Sequence, residues 1–151
     1  MSAISKHQNC LLSKDLMSKI YDSLIWRWEK RWKDGNEKFH IDARCFKEFK
    51  GRIKLHMESV AGAKGFEDRM QSPTPSNNNW MVFTDPKKSK VKSILYHLRN
   101  AAAHAHFAKP SRNFLEFRSE DLQGKRVMQG RIEVRHFQSF INALSDTAKV
   151  D

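Results

Sequence analysis

The chain has 151 residues, 39% of them hydrophobic and 30% charged, a balance that fits one globular domain and excludes a disordered polymer. Lys and Arg number 28 against 17 Asp and Glu, a net charge of +11, which points to an anionic partner: nucleic acid, an acidic protein or an anionic membrane surface. No apolar run is long enough to cross a bilayer, so no membrane-spanning segment is expected.

In chain order, residues 1–12 are expected as a flexible N-terminal segment of a single domain, 1–151. The first strong element spans 13–32. Leu16, Ile20, Leu24 and Trp28 recur every four residues, and Met17, Tyr21 and Ile25 widen the stripe into an amphipathic helix. Ser13 is its N-cap, and Asp34-Gly35-Asn36 stops it. Trp26, Trp28 and Trp32 alternate with basic residues; rings packed inward are favoured over stacking on bases. A second helix is expected over 42–60, burying Phe46, Phe49, Ile53 and Met57, and ended by Gly62 and Gly65. Residues 71–79, with two prolines and three consecutive asparagines, form a loop. Residues 80–83 are a short apolar plug or strand. Asp85-Pro86 marks the start of a third helix that runs to about residue 107, before Lys109-Pro110. The period then shortens to two over 113–118 and 126–134, a β-hairpin around Asp121–Lys125. A last helix, from 135 to about 147, buries Phe137, Phe140, Ile141 and Leu144.

Two cysteines, Cys10 and Cys45, belong to no metal-ligand or redox spacing, and idle or buried thiols in a reducing cytosol are expected. The N-terminus has no apolar core or cleavage site of a signal peptide. A cytoplasmic protein without metal or cofactor follows as the expectation.

The chemistry concentrates on the third helix, over residues 89–107. At about 100° per residue, Val91, Ile94, Leu95, Leu98, Ala102 and Ala105 fall on the core side. Tyr96, Arg99, Asn100, Ala103 and His104 fall on the other. The polar side is an alanine floor flanked by a guanidinium, an amide and an imidazole, and small residues there admit a second copy of the same helix. An imidazole suits proton transfer near neutral pH, and a guanidinium suits bidentate binding of a phosphate. RNA supplies its own nucleophile, the 2′-hydroxyl, so these parts suffice for strand cleavage without a metal. The competing reading is a solvated basic helix face, because Arg–His pairs at this spacing also arise by chance.

The string Arg99-Asn100-Ala101-Ala102-Ala103-His104 resembles the signature of the HEPN superfamily: Arg, a polar residue, then His, with four to six residues between Arg and His. The layout of helices, long loop, motif helix, hairpin and final helix is similar too, over nearly the whole chain, and looks like a branch found in prokaryotic conflict and plasmid or phage-defence systems. The resemblance implies a mainly α fold, a HEPN-like bundle of four or more helices with a small β-hairpin before the C-terminal helix. It implies a metal-independent endoribonuclease, a toxin or defence effector, cutting single-stranded or loop RNA. It implies a homodimer through the 89–107 helix and a protein antitoxin as a further partner. Arg99 and His104 would be the active pair and Asn100 the polar accessory. His106, Tyr96 and Lys92 are expected to help bind RNA, although His97 and His106 also read as exposed helix histidines without a role. One departure concerns the tyrosine that some HEPN toxins carry two residues after the histidine: His106 stands there. The alternatives are a non-catalytic RNA- or nucleotide-binding module and a protein-interaction or immunity subunit.

Overall fold

The computed structural model describes residues 12–149, so Cys10 and all but the last residue of the expected N-terminal segment lie outside the described residues. The helix predicted over 13–32 is present. It begins as α1 (Lys14–Ile20), with the Ser13 hydroxyl accepting from the Leu16 N–H at 3.1 Å. It continues through π-helical turns at Tyr21–Trp26 and Trp28–Trp32. The wider turns explain the four-residue spacing. On an α-helix four residues overshoot a turn by about 40°, whereas π turns undo the drift. They keep Ile20, Leu24, Trp28 and Trp32 all buried on one side. Trp28 and Trp32 face inward as expected; Trp26 is 56% exposed.

The expectation of a mainly α bundle is overturned. The remaining elements are α2 (Arg44–Arg52), β1 (Leu55–Val60), α3 (Gly62–Met70), β2 (Asn79–Thr84), α4 (Lys90–Ala103), β3 (Phe107–Ala108), β4 (Phe114–Glu120), β5 (Arg126–Glu133) and α5 (Val134–Asp146), closed by a 3-10 turn at Thr147–Lys149. The strands form one mixed sheet in the order β1-β2-β5-β4-β3, with β1 and β2 parallel and every other pair antiparallel. The β4–β5 hairpin predicted from the two-residue period is there, but it is two strands of five.

Most of the correction lies in 42–60, predicted as one helix. Ile53 and Met57 sit four apart and fit a helix stripe, but Lys54 turns left-handed at φ 54° and ends α2. The chain beyond it pairs with β2 from Leu55↔Asn79 to Val60↔Thr84. Gly62, expected only to stop a helix, instead opens α3 as its first residue, at φ 69°. The apolar stretch 80–83 is the core of β2, a central strand buried at every residue. Its two faces explain why it shows no alternation. Met81 and Phe83 join the main core with the N-terminal helix, α2, α4 and α5. Trp80 and Val82 pack under α3 with Phe66. The sheet is thus covered on both faces, and α4 lies on the larger one.

Asn79, read as loop, is buried and binds three elements together. Its amide donates to the Ile53 carbonyl at 2.9 Å and to Glu133, while its oxygen accepts from the Glu133 N–H at 2.7 Å. Gly130 sits where β5 crosses under a ring. A Cβ there would lie 2.5 Å from Phe117 Cε1 and 3.0 Å from the Trp80 carbonyl oxygen. Gly130→Ala is therefore expected to lose about 1–3 kcal/mol by overpacking. Urea unfolding measures it, and an unchanged midpoint would contradict this register.

Candidate active site

α4 starts later than predicted. Asp85 does not cap it; its carboxylate accepts the Ser93 hydroxyl at 2.6 Å. The cap is Ser89, whose hydroxyl accepts the Lys92 N–H. The helix also ends earlier, at Ala103, rather than near 107. The His106 N–H reaches back to the Ala101 carbonyl at 2.8 Å, and the Ala105 N–H to Ala102 at 3.3 Å. This double closure is a Schellman motif, with Ala105 in the left-handed position at φ 56° that glycine usually takes. It lifts His104 and Ala105 to the surface and turns His106 toward the sheet. Ala105, expected on the core side, is exposed; the core side of α4 includes Ala101 instead.

Arg99 and Asn100 are half-buried on the side opposite the core, as their positions predict. Arg99 Nη1 donates to Asn100 Oδ1 at 3.0 Å, so amide and guanidinium form one unit. Its Nη2 donates to Glu29 at 2.8 Å. Glu29 comes from the π-helical turn of the N-terminal helix, 70 residues away in sequence, and that guanidinium holds its carboxyl below the usual carboxylate range. Arg99 Nε is buried and has no hydrogen-bond partner among the described residues. His104 caps α4, and its ring centroid lies 6.0 Å from that of His106. No hydrogen bond joins Arg99 to His104 within the chain. The structure brings Arg99 to Asn100 and Glu29, and His104 to His106.

His106 is half-buried, and its Nδ1 has no hydrogen-bond partner among the described residues. Burial, then the nearby Arg118 charge, push its pKa down, with Glu120 opposing. It is biased toward the neutral base. Tyr96 packs against Trp28 with centroids 5.6 Å apart and the rings tilted by 46°, and Lys87 Nζ sits 4.3 Å from its ring centroid; these contacts are helix packing. Lys92 lies half-buried in the first turn, away from His104. His97, read as an exposed helix histidine, is 1% exposed. Its Nε2 donates to the Thr84 carbonyl at 2.8 Å, and Ser119 Oγ stands 3.4 Å from Nδ1. It fastens α4 to the sheet.

Sequence reasoning missed Glu29, and nothing local could have shown it. Cys45 is exposed rather than buried. Among the described residues, no three His, Cys, Asp or Glu side chains group to hold a metal ion, and no helix is long and apolar enough to cross a membrane.

A family profile described as HEPN pEK499 p136 matches residues 14–151. No curated protein and no solved structure matches the chain.

Proposed function

The chain belongs to the HEPN family so described, whose domains are generally nuclease or RNA-binding modules, and on that premise we propose that it is an endoribonuclease working without a metal, as a toxin or defence effector. The observation that carries the reading is the end of α4. An exposed imidazole, His104, stands there beside a second, His106, on the same helix as a guanidinium with an orphaned donor, Arg99. In this reading the RNA 2′-hydroxyl loses its proton to one imidazole and its oxygen attacks the adjacent phosphorus. The bond from phosphorus to the 5′-oxygen breaks, and that oxygen takes a proton from an imidazole as it leaves. The products are a 2′,3′-cyclic phosphate and a 5′-hydroxyl. Arg99 neutralises the charge that develops on the phosphoryl oxygens, with Asn100 fixing the plane of its guanidinium. Labelled RNA incubated with the protein in EDTA tests the reading, and intact RNA overturns it.

The same face supports pairing of two copies. Met17 and Tyr21, 55% and 56% exposed, border a shallow apolar groove of about 160 Å³ that also takes in Ala102 and Ala105. Apolar surface beside the motif suits a self-complementary contact that sets two motifs together. Tyr21→Glu is expected to shift the protein to monomer by sedimentation and to lower cleavage while the chain still melts cooperatively, because the side chain is exposed within the protomer. A variant that stays dimeric, or a wild type that is monomeric, overturns the pairing.

The Arg99–Glu29 ion pair favours a second reading, an RNA-binding module that does not cut. RNA binding without cleavage, indifferent to His104→Ala, would select it.

A further inference from the structure

A guanidinium grips a phosphate or a carboxylate with paired N–H donors, along the edge of Nε and Nη2 or along the edge of Nη1 and Nη2. Nη2 belongs to both edges. In Arg99 the Nε is buried, which closes the first edge to solvent. Nη1 is turned onto the Asn100 amide oxygen at 3.0 Å. Nη2, the atom that both grips need, donates to Glu29 Oε1 at 2.8 Å. An anion that comes to Arg99 from solvent therefore meets a carboxylate already seated there.

The seat is made to be vacated. The turn that carries Glu29 stays in place, because Trp28 and Trp32 anchor it in the main core. Glu29 itself is exposed. Its other carboxylate oxygen, Oε2, lies 3.6 Å from Lys33 Nζ, one π turn further on. When the side chain leaves Arg99 it thus keeps a counter-charge, and an exposed ion pair of this kind costs little to break. A phosphodiester presents paired non-bridging oxygens to the same guanidinium, a closer match than the single contact from Oε1. Arg99 also holds the Glu29 carboxyl below the usual carboxylate range, so the group is ionised as the phosphate approaches. Like charges at one donor exclude each other.

We propose that Glu29 is a displaceable gate on the motif: in the RNA-free chain its carboxylate fills the Nη2 position of Arg99, and a backbone phosphodiester of RNA takes that position by driving the carboxylate onto Lys33. Glu29 is a positioning residue that sets affinity, and the chemistry stays with the imidazoles. An uncharged nucleoside has no anion with which to open the gate. The proposal rests on the reading above for Arg99 as the phosphate ligand, but binding and cleavage are read apart, so the two fail separately.

The test is binding of a fluorescent 2′-O-methyl RNA, which has no free 2′-hydroxyl and is not cut, with cleavage of ordinary RNA followed in parallel. Glu29→Gln is compared with Glu48→Gln, the same change of net charge at an exposed ion pair on α2, where Glu48 meets Arg44 at 2.9 Å. Glu29→Gln is expected to bind about two- to fivefold more tightly than wild type, the range an exposed ion pair is worth, and Glu48→Gln to gain less. In an Arg99→Ala background the extra gain should vanish, because the coupling between residues in contact is lost with either partner. If Arg99→Ala melts early, the comparison of the single variants carries the test by itself. Equal gains in Glu29→Gln and Glu48→Gln, weaker binding by Glu29→Gln, or an extra gain that survives Arg99→Ala overturn the gate and leave the ribonuclease reading standing. A gain specific to Glu29 in a protein that leaves ordinary RNA intact upholds the gate and sinks the ribonuclease reading instead. No binding of RNA by wild type or by Glu29→Gln overturns both.

Discussion

His104→Ala is expected to slow RNA cleavage by roughly a hundredfold or more, the loss that follows removal of a positioned acid or base, without lowering the melting temperature. The two halves of that expectation come from the same geometry. His104 closes α4 with its backbone, its N–H donating to the Asn100 carbonyl at 3.0 Å. Alanine keeps that bond. The ring itself is exposed and lies beside His106, and surface substitutions of this kind usually stay within about 0.5 kcal/mol. Arg99→Ala differs, because it also breaks the bonds to Glu29 and Asn100. A loss of activity there mixes positioning with chemistry. His104 is thus the cleaner probe. Cleavage of a labelled RNA in EDTA, read for a 2′,3′-cyclic phosphate end, measures it, and expression in cells gives a second readout, a growth defect that the substitution removes. A variant that cuts as fast as the wild type would end the assignment.

The second large effect is acid lability from His97. Burial pushes its pKa from the ordinary 6.5 down to about 4, against the opposing Thr84 carbonyl and Asp85. The neutral ring suits its place, with Nε2–H on the Thr84 carbonyl and Nδ1 facing Ser119. Above about pH 6.5 the ring is neutral in both the folded and unfolded chain, and stability does not depend on this group. Between about 6.5 and 4 the unfolded chain takes up a proton that the folded chain refuses, so stability falls as pH falls. Below about 4 both forms are protonated and the loss is complete. A difference of about 2.5 units corresponds to about 3 kcal/mol, a large part of a typical domain's stability. Urea unfolding from pH 7.5 to 4, compared with His97→Gln, isolates it. If both proteins lose stability in parallel through that window, the histidine is not responsible. The consequence for function is direct: His97 ties α4 to the ends of β2 and β4, so protonation loosens the helix that carries Arg99, Asn100 and His104.

The helices with a long, one-sided apolar period were legible in the amino-acid order alone. Ile20, Leu24 and Trp28 marked the first, Ile94, Leu95 and Leu98 the fourth, and Phe137, Phe140, Ile141 and Leu144 the last; all are buried. The β4–β5 hairpin was legible from its two-residue alternation. So was the placing of Arg99 and Asn100 on the side of one helix away from the core, because side-chain direction on a helix depends only on spacing; His104, past the helix end, stands beside His106 instead. Residues 55–60 were not legible. Ile53 and Met57 satisfy a helical interval and a strand equally, and only pairing with β2, which is distant in sequence, decides between them. The same holds for α3, whose place is fixed by Trp80 and Val82 on the second face of a strand. At the site, local order set which groups are present, while tertiary packing chose their neighbours. Glu29 meets Arg99 across 70 residues, and a left-handed alanine after His104 sends His106 to the far side of the sheet. Periodicity is a property of adjacent residues and survives in the sequence. Strand partners and ion pairs between distant residues arise only when the chain closes on itself, so no window along the sequence contains them.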